Sequence, residues 1–220
     1  MGEEARTDPF VSWMEIHGSV HLYQRDAVLW EQGAFFDSVY LLRRGRVCLV
    51  VKDRREHTSI MRIVEPGELF GLTCLNAQRR KSAPTRAEAA LPSEVVSVRC
   101  EDCVQFLRDS PDAALSLISN LSERLAYAED RAHVLVNHNA EDRVCALLEQ
   151  LIARFGKSSR SKPGYAWTHF THEQIAELAG LTRSHVTVIM SRLRSKGIVE
   201  YDRSTPLLVN LEALGKMRTA

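Results

Sequence analysis

The sequence predicts an α+β protein with a β-rich N-terminal half, a long helix and a C-terminal helical module. Short apolar runs separated by glycines fill residues 19–99, which is typical of an antiparallel β-sandwich or roll. Apolar residues at a heptad spacing follow between residues 114 and 135. A short helix, a glycine turn and a second helix are indicated between residues 171 and 196. A chain of 220 residues is long enough for two such domains.

Composition places the chain among globular proteins, with 45% hydrophobic and 26% charged residues. The chain holds no stretch of about 18 apolar residues for a membrane span, and the acidic start MGEEARTDPF predicts no secretory signal. Its five cysteines are an odd number that fits free thiols in a reducing compartment better than a disulfide framework. We therefore expect a cytoplasmic protein.

Charge is unevenly distributed along the chain. From Asn139 onward there are 12 basic and 8 acidic residues, whereas the preceding part holds 17 basic and 20 acidic residues. The basic C-terminal third permits a nucleic-acid partner at that end.

The strands of the N-terminal half are predicted from β-branched or alternating runs. Residues 39–42 and 47–51 flank Arg43-Arg44-Gly45-Arg46, which predicts a hairpin that turns at these four residues. A strand over residues 59–64 is expected to end at a turn containing proline and glycine. The last strand of this half is predicted over residues 94–99.

A long helix is predicted after Ser110-Pro111, because serine is a good capping residue and proline fits the first helical turn. From Ala114 onward its apolar residues alternate between four and three positions apart: Ile118, Leu121, Leu125, Ala128, Ala132 and Leu135. Such a seam, with charged residues between its members, favours a partner helix over simple packing on the helix's own domain. A symmetric dimer is the commonest way to supply that partner, so we predict a homodimer.

A further helix is predicted to begin at Asn139 and to end near Phe155. The polar stretch Lys157–Gly164, which contains proline and glycine, is predicted to be a loop.

Residues 170–199 predict a winged helix-turn-helix. Thr171 and Gln174 have the spacing of a capping box, Gly180 permits the tight turn, and Thr182 is expected to cap the second helix. The start of that helix must carry side chains that reach base edges in the major groove. The predicted DNA-binding residues are Thr171, Thr182, Arg183, Ser184, His185, Thr187, Val188 and Arg192. Phosphate contacts are expected further along, near Arg194 and Lys196, and a hairpin over residues 198–209 would form the wing.

This order of elements resembles the CRP–FNR superfamily of bacterial transcription regulators. The likeness extends over residues 18–210 and is carried by Gly33, Tyr40–Val47, Pro66–Gly71 and the helix-turn-helix. It implies a β jelly-roll effector domain over residues 1–109, a dimerisation helix over residues 110–138 and a winged helix-turn-helix DNA-binding domain over residues 139–220. It also implies a homodimer that binds a two-fold symmetric operator in double-stranded DNA, and it allows a contact with RNA polymerase.

The expected effector pocket departs from that of the cyclic-AMP-binding members. By resemblance, its residues are Gly71, Leu72, Lys81 and Ser82, together with Leu125, Ala128 and Glu129 of the long helix. Those members hold a ribose hydroxyl with a glutamate, but here that position is Leu72, whose side chain cannot accept a hydrogen bond. Their Arg-Ser phosphate pair corresponds to Lys81-Ser82, and their polar adenine-contacting pair corresponds to Ala128 and Glu129. We therefore predict an effector other than ordinary cyclic AMP and leave its identity open.

An alternative is a small-molecule, haem or thiol-redox sensor with altered or weak DNA binding. Iron–sulfur members of the family have an N-terminal cysteine cluster, whereas the first 47 residues here contain no cysteine. The haem-sensing members place cysteine and histidine at positions that are Gly71 and Thr73 in this chain. Haem would therefore need other ligands, such as His17, His21 and Cys74, and the sequence itself requires no cofactor.

Cys100 and Cys103 form a CxxC motif where a strand is expected to enter a helix. A helix start could lower the pKa of one thiol and permit redox sensing, but buried core cysteines are the simpler interpretation. One CxxC supplies at most half of a zinc site, so no metal site is predicted. The chain contains no GxSxG, HExxH, P-loop or dinucleotide-binding motif, so we predict no enzymatic activity.

Overall fold

The computed structural model describes residues 8–53, 57–76, 82–136, 139–160, 162–202 and 206–218. Backbone contacts divide the chain into two units, Met1–Leu125 and Ala126–Ala220. The division falls within the long helix, and the three segments predicted from the sequence, with boundaries after residues 109 and 138, stay a prediction. Over the described ranges, no helix is both long and apolar enough to span a membrane.

The first unit is built on an antiparallel sheet. Its elements are α1 (Pro9–His17), β1 (Ser19–Tyr23), β2 (Val28–Trp30), β3 (Ser38–Lys52), β4 (Thr58–Val64), β5 (Leu69–Phe70), a 3-10 helix (Leu72–Leu75), β6 (Arg86–Arg99), α2 (Cys100–Asp109) and the beginning of α3 (Pro111–Val136). The strand order is β1-β6-β3-β4, while β2 pairs with β6 and β5 pairs with β3. All of these pairs are antiparallel, which confirms the predicted antiparallel character.

The hairpin predicted at residues 43–46 is wrong, because β3 continues through this segment without a turn. Both predicted strands belong to β3 and pair with the same strand, β6. The pairing register shifts three times between Leu42 and Val47, and Gly45 has a φ of +93°. The residues that suggested a turn therefore form irregularities of the β-bulge kind, which let a long strand bend without reversing.

Helix α1, which was not predicted, closes one end of the roll's core. Asp8 caps it by accepting hydrogen bonds from the backbone N–H groups of Phe10 (2.8 Å) and Val11 (3.1 Å). The Phe10 side chain is buried in the same apolar cluster as the inner residues of the sheet, and Trp13 stacks on Phe106 of α2 with ring centroids 4.4 Å apart. The roll is thus packed against helices drawn from both sides of its sequence.

The second unit contains the end of α3 and the remaining elements. These are α4 (Ala140–Phe155), β7 (Lys157–Ser158), β8 (Tyr165–Thr168), α5 (His172–Ala179), α6 (Arg183–Ser195), β9 (Val199–Glu200), β10 (Leu207–Asn210) and α7 (Leu211–Arg218). The strands form an antiparallel sheet in the order β7-β8-β10-β9. Asn139 begins α4 as predicted, since its side chain accepts from the N–H of Glu141 (2.9 Å). The predicted loop over residues 157–164 instead begins with strand β7, because that segment pairs with β8.

Candidate functional site

The helix-turn-helix predicted from the sequence is confirmed by α5 and α6. Thr171 Oγ1 accepts from the N–H of Gln174 (3.2 Å), and Gln174 Oε1 accepts from the N–H of Thr171 (3.1 Å), so the capping box is complete. Gly180 ends α5 with a φ of +63°, a conformation that favours glycine. Thr182 then begins α6 by accepting from the N–H of His185 (3.3 Å).

The packing of the two helices decides which face of α6 is outward. Their buried residues are Ile175, Ala176, Leu178 and Ala179 on α5, and Val186, Ile189, Met190 and Leu193 on α6. With 3.6 residues per turn, the centre of the opposite face of α6 is formed by Ser184, Val188, Ser191 and Ser195, all exposed. This centre is flanked by Arg183, Thr187 and Arg194 on one side and by His185, Arg192 and Lys196 on the other. An exposed helix face with short side chains along its centre and basic residues on both sides is suited to entering a DNA groove.

The wing is present as the pair β9 and β10, in which Val199 lies opposite Val209. This confirms strands within the hairpin predicted over residues 198–209. Its predicted turn falls partly on residues 203–205, which lie outside the described residues.

Arg183 extends from the first turn of α6 with 71% of its side chain exposed. Its Nε lies 3.5 Å from Oε2 of Glu173, near the beginning of α5. Since this contact involves Nε, the terminal amino groups of the guanidinium can still address a second partner. Sequence reasoning identified Arg183 and missed Glu173, because the contact joins two helices across the turn.

His172 is a second residue of this surface that the sequence did not reveal. Its ring lies edge-on to that of Tyr201, with centroids 4.9 Å apart, and its Nδ1 lies 3.4 Å from Oγ1 of Thr187. Burial, and then the positive charge of Arg183, lower the pKa of His172 below its usual 6.5. The surface therefore holds a neutral imidazole beside a permanent cation at neutral pH.

Two basic residues on the other flank pair within the protein. Lys196 Nζ lies 2.6 Å from Oε1 of Glu141, and Arg192 Nη1 lies 3.8 Å from Oε2 of the same carboxylate. Because the Glu141 side chain is only 17% exposed, water screens this cluster less than an open surface pair. A phosphate contact by Arg192 or Lys196 must compete with Glu141.

The carboxyl end of α5 is held by two arginines. Arg131 of α3 donates from Nη2 to the carbonyl oxygen of Leu178 (2.9 Å), and Arg143 of α4 donates from Nη1 to that of Ala179 (3.3 Å). Cations are favourable at the C-terminus of a helix. Burial lowers the pKa of Arg131, but a guanidinium starts so far above neutrality that it remains charged. Helix α5 is therefore fixed from two sides within the second unit.

The predicted seam of α3 lies on its exposed face. Its members Ile118, Leu121, Leu125, Ala128, Ala132 and Leu135 are all exposed in the single chain. By contrast, Ala113 and Leu117 are buried against the core of the roll. The first part of α3 thus packs one face on the roll, whereas the seam face is exposed along the helix in the single chain.

The first unit contains a cavity of about 280 Å³. Its apolar walls come from Trp30, Phe36, Leu49, Leu72 and Leu121. The polar groups around it belong to Thr73, Thr85 and Arg124.

The structure brings Gly71 and Leu72, two of the predicted pocket residues, together at this cavity. Ser82 is exposed and is not among the described lining residues, while Lys81 lies outside the described part of the chain. On α3, the predicted residues Leu125, Ala128 and Glu129 are all exposed. Sequence reasoning missed Trp30 and Arg124, because no local motif connects either to Leu72.

The cysteines of the CxxC motif are buried together with Cys74. Cys100 Sγ donates to the carbonyl oxygen of Cys74 at 3.1 Å. Burial raises the pKa of the Cys103 thiol to about 12 and raises that of Cys74 as well. The reactive thiolate form is thereby disfavoured.

The residues considered for haem are not gathered at the cavity. His17 and His21 are exposed, whereas Cys74 is buried, and none of the three is among the described residues that line the cavity. Within the described ranges, no group of three or more histidine, cysteine or acidic side chains is arranged to hold a metal ion.

Comparison with known proteins identifies both units. The model of the cyclic nucleotide-binding domain matches residues 20–110, and the model of the Crp-like helix-turn-helix domain matches residues 142–217. The chain belongs to the CRP–FNR superfamily. As a CRP–FNR protein it is a DNA-binding transcription regulator with a cyclic nucleotide-binding domain, and its relatives are transcription regulators rather than enzymes.

Relatives of this CRP–FNR protein match it over most of their length. The cAMP-activated global transcriptional regulator CRP of Salmonella typhimurium is 23% identical over 195 residues, which cover 88% of this chain and 91% of that protein. The cyclic AMP receptor protein of Thermus thermophilus is 28% identical over 185 residues, with coverages of 84% and 81%. The structure of a CooA mutant from Carboxydothermus hydrogenoformans has a TM-score of 0.77 at 19% identity, and the match covers 98% of this chain and 92% of that one. This structural likeness concerns the fold.

Proposed function

We propose that this regulator is a homodimer that binds a two-fold symmetric operator, with one α6 helix in each half-site. In this proposal the roll controls the affinity for DNA in response to an effector other than ordinary cyclic AMP. The observation that carries the proposal is the outward face of α6, where Arg183 stands exposed at the first helical turn. RNA polymerase is a further partner in the proposal, supported by the relatives that are global transcriptional regulators.

Arg183 is the proposed base-reading residue. A guanidinium can donate two parallel hydrogen bonds to O6 and N7 of guanine, a contact worth about 1–3 kcal/mol of discrimination. Ser184 can hydrogen-bond with several bases, and Val188, which is 50% exposed, can contact a thymine methyl group. The remaining predicted contacts, at Thr171, Thr182, His185, Thr187 and Arg192, would position the helix in the groove.

The seam of α3 supports the proposed dimer. Leu125 is 61% exposed and Ile118 is 57% exposed, although each lies in a heptad pattern whose members normally pack against a second helix. A second copy of the chain would supply an identical seam, so the interface would be self-complementary. One α6 helix per chain then gives two recognition helices related by the same two-fold axis, which is why the expected operator is symmetric.

Leu72 supports an effector other than cyclic AMP. It lines the cavity with an apolar side chain where the cyclic-AMP-binding members would have a carboxylate. A ribose hydroxyl buried opposite leucine would lose its hydrogen bond, at a cost of about 1–3 kcal/mol. Ordinary cyclic AMP would therefore bind at a marked disadvantage.

Selection from a pool of random duplex DNA tests the proposal. We expect the purified chain, assayed at low salt with and without cell extract, to enrich a two-fold symmetric sequence. Arg183→Ala should weaken binding to that sequence by about 5- to 150-fold while changing non-specific binding little. Arg108→Ala, which removes the same charge from an exposed position on α2, is the matched control. Enrichment of no symmetric sequence, or an equal loss of specific and non-specific binding in Arg183→Ala, would contradict the proposal.

Sedimentation tests the dimer separately. Leu125→Glu would place a carboxylate in the centre of the seam on each chain, so we expect a monomer. Ser119→Glu adds the same charge to an exposed position of α3 outside the seam and should leave the dimer intact. A monomeric wild-type chain, or a dimeric Leu125→Glu variant, would refute the assigned interface.

A further inference from the structure

One wall of the cavity is a fixed set of aromatic rings. Trp30 is 8% exposed, and its Nε1 donates to the carbonyl oxygen of Thr85 (2.8 Å). Its ring stacks on Phe36 with centroids 5.3 Å apart and on Phe70 with centroids 5.7 Å apart. Because the only donor of the indole is already used, Trp30 offers a ligand an apolar surface. Such a surface favours a planar aromatic ring.

The size of the cavity narrows the choice of ligand. Its volume is about 280 Å³, compared with about 150 Å³ for an apolar protein cavity known to bind benzene. A ligand with two fused rings, or with one ring and a short substituent, would therefore fill it. Leu49, Leu72 and Leu121 complete apolar walls that match such a ligand.

Among the lining residues that the structure describes, the charge comes from one side chain. Arg124 is the sole charged side chain among the described lining residues, and it is half-buried. A guanidinium recognises a planar carboxylate through two parallel hydrogen bonds. Thr73 and Thr85 are the only described lining residues with side-chain hydroxyls. The described lining thus offers a ligand one cation and two hydroxyl groups.

We infer that this cavity binds a small aromatic carboxylate, with its ring against Trp30 and its carboxylate at Arg124. The inference rests on the proposed function, in which the roll responds to an effector, and it names the chemical class of that effector. Apolar rings supply the contact area, and the guanidinium of Arg124 supplies selectivity for the acid. A neutral aromatic compound of the same shape should bind more weakly.

Direct binding to the full-length chain, measured by calorimetry without DNA, tests this assignment. The probes are 2-naphthoate, its uncharged analogue 2-naphthamide, and cyclic AMP. We expect 2-naphthoate to bind about 10- to 100-fold more tightly than 2-naphthamide, the range that a charge-assisted hydrogen bond provides. Cyclic AMP should bind more weakly than 2-naphthoate.

Variants separate the roles of charge and shape. Arg124→Met keeps much of the aliphatic length and removes the cation, so the preference for the acid should disappear while 2-naphthamide binds as before. Arg44→Met, at an exposed position of β3 outside the cavity lining, is the matched control and should keep the preference. Leu49→Trp fills the cavity and should abolish binding of both naphthalene compounds.

The comparison of acid and amide on the wild-type chain needs no variant, so a poorly folded variant does not remove the test. Equal affinities for the two compounds, no binding of 2-naphthoate, tighter binding of cyclic AMP, or a preference that survives Arg124→Met would each overturn the inference. Failure of the DNA selection with intact 2-naphthoate binding would instead count against the proposed function alone. Successful DNA selection without 2-naphthoate binding would reject only the ligand class.

Discussion

Gly45→Ala is expected to destabilise the roll strongly, because this glycine lies inside β3 rather than in a turn. A Cβ atom at this position would lie 2.3 Å from the carbonyl oxygen of Pro92 and 2.4 Å from Oγ of Ser93, both on β6. Since backbone atoms in paired strands cannot easily move aside, the methyl group would force the two strands apart. The φ of +93° adds the backbone strain of a residue with a side chain in the left-handed region.

The two costs can be separated with Gly67→Ala. The backbone cost is about 1–2 kcal/mol, and overpacking of a well-packed region typically costs about 1–3 kcal/mol, so Gly45→Ala should lose roughly 2–5 kcal/mol of unfolding free energy. Gly67 has a similar φ, +88°, but a Cβ there would meet no atom within 4 Å. Gly67→Ala should therefore show only the backbone cost.

Urea unfolding followed by tryptophan fluorescence measures the difference. In a Trp167→Phe background the remaining tryptophans, Trp13 and Trp30, both belong to the first unit. We expect the transition midpoint of Gly45→Ala to fall well below that of Gly67→Ala, with little change in the slope m. If Gly45 instead formed an open turn, the two variants would lose equal stability, and that result would refute the continuous strand.

Three further predictions concern individual side chains. Thr182→Ala removes the cap of α6 and should cost about 1 kcal/mol of stability in the second unit, measured by urea unfolding followed at Trp167; an unchanged midpoint would contradict the cap. Burial raises the pKa of Cys103 to about 12, so this thiol should react with iodoacetamide at pH 8 about 100-fold more slowly in the native chain than in the urea-unfolded chain. Mass spectrometry measures the two rates, and equal rates would show an accessible thiolate. Because the pKa of His172 is lowered in the folded chain, the unfolded chain takes up the proton first as the pH falls. The contribution of neutral His172 to the free energy of unfolding is therefore complete above pH 6.5 and is lost as the pH falls toward the lowered pKa of the folded chain. His172→Gln should flatten the pH dependence of the unfolding free energy in this range, and an unchanged slope would exclude the effect.

The helix-turn-helix could be predicted from the sequence because its signals are local. Thr171 and Gln174 are three residues apart, and the hydrogen bonds between them lie within one helical turn. Gly180 and Thr182 mark the turn and the next helix start by their own backbone preferences. Each signal needs only its near neighbours, so a single sequence is enough to interpret it.

The roll was harder to predict because its signals are non-local. Gly45 has the same appearance in a sequence whether it forms a turn or a bulge, and the outcome depends on β6, which lies more than 40 residues away. The cavity has the same difficulty. Trp30, Leu72 and Arg124 come from a strand, a 3-10 helix and a long helix. No spacing in the sequence reveals that these three side chains line the same cavity.

The end of α3 links the proposed dimer seam to the DNA-binding helices by a contact that is costly to break. Arg131 lies between the seam residues Ala128 and Ala132 in sequence, yet its guanidinium is buried and bonded to the carbonyl oxygen of Leu178 at the end of α5. Releasing that bond without exposing the guanidinium would leave a buried charge that has lost its acceptor, which costs several kcal/mol. Gln150 of α4 adds a second bond to the same part of α3, donating to the carbonyl oxygen of Asp130 at 3.0 Å. In the proposed dimer, a shift of the seam around Ala128 and Ala132 would therefore carry α5, and the α6 helix packed on it, along with this end of α3.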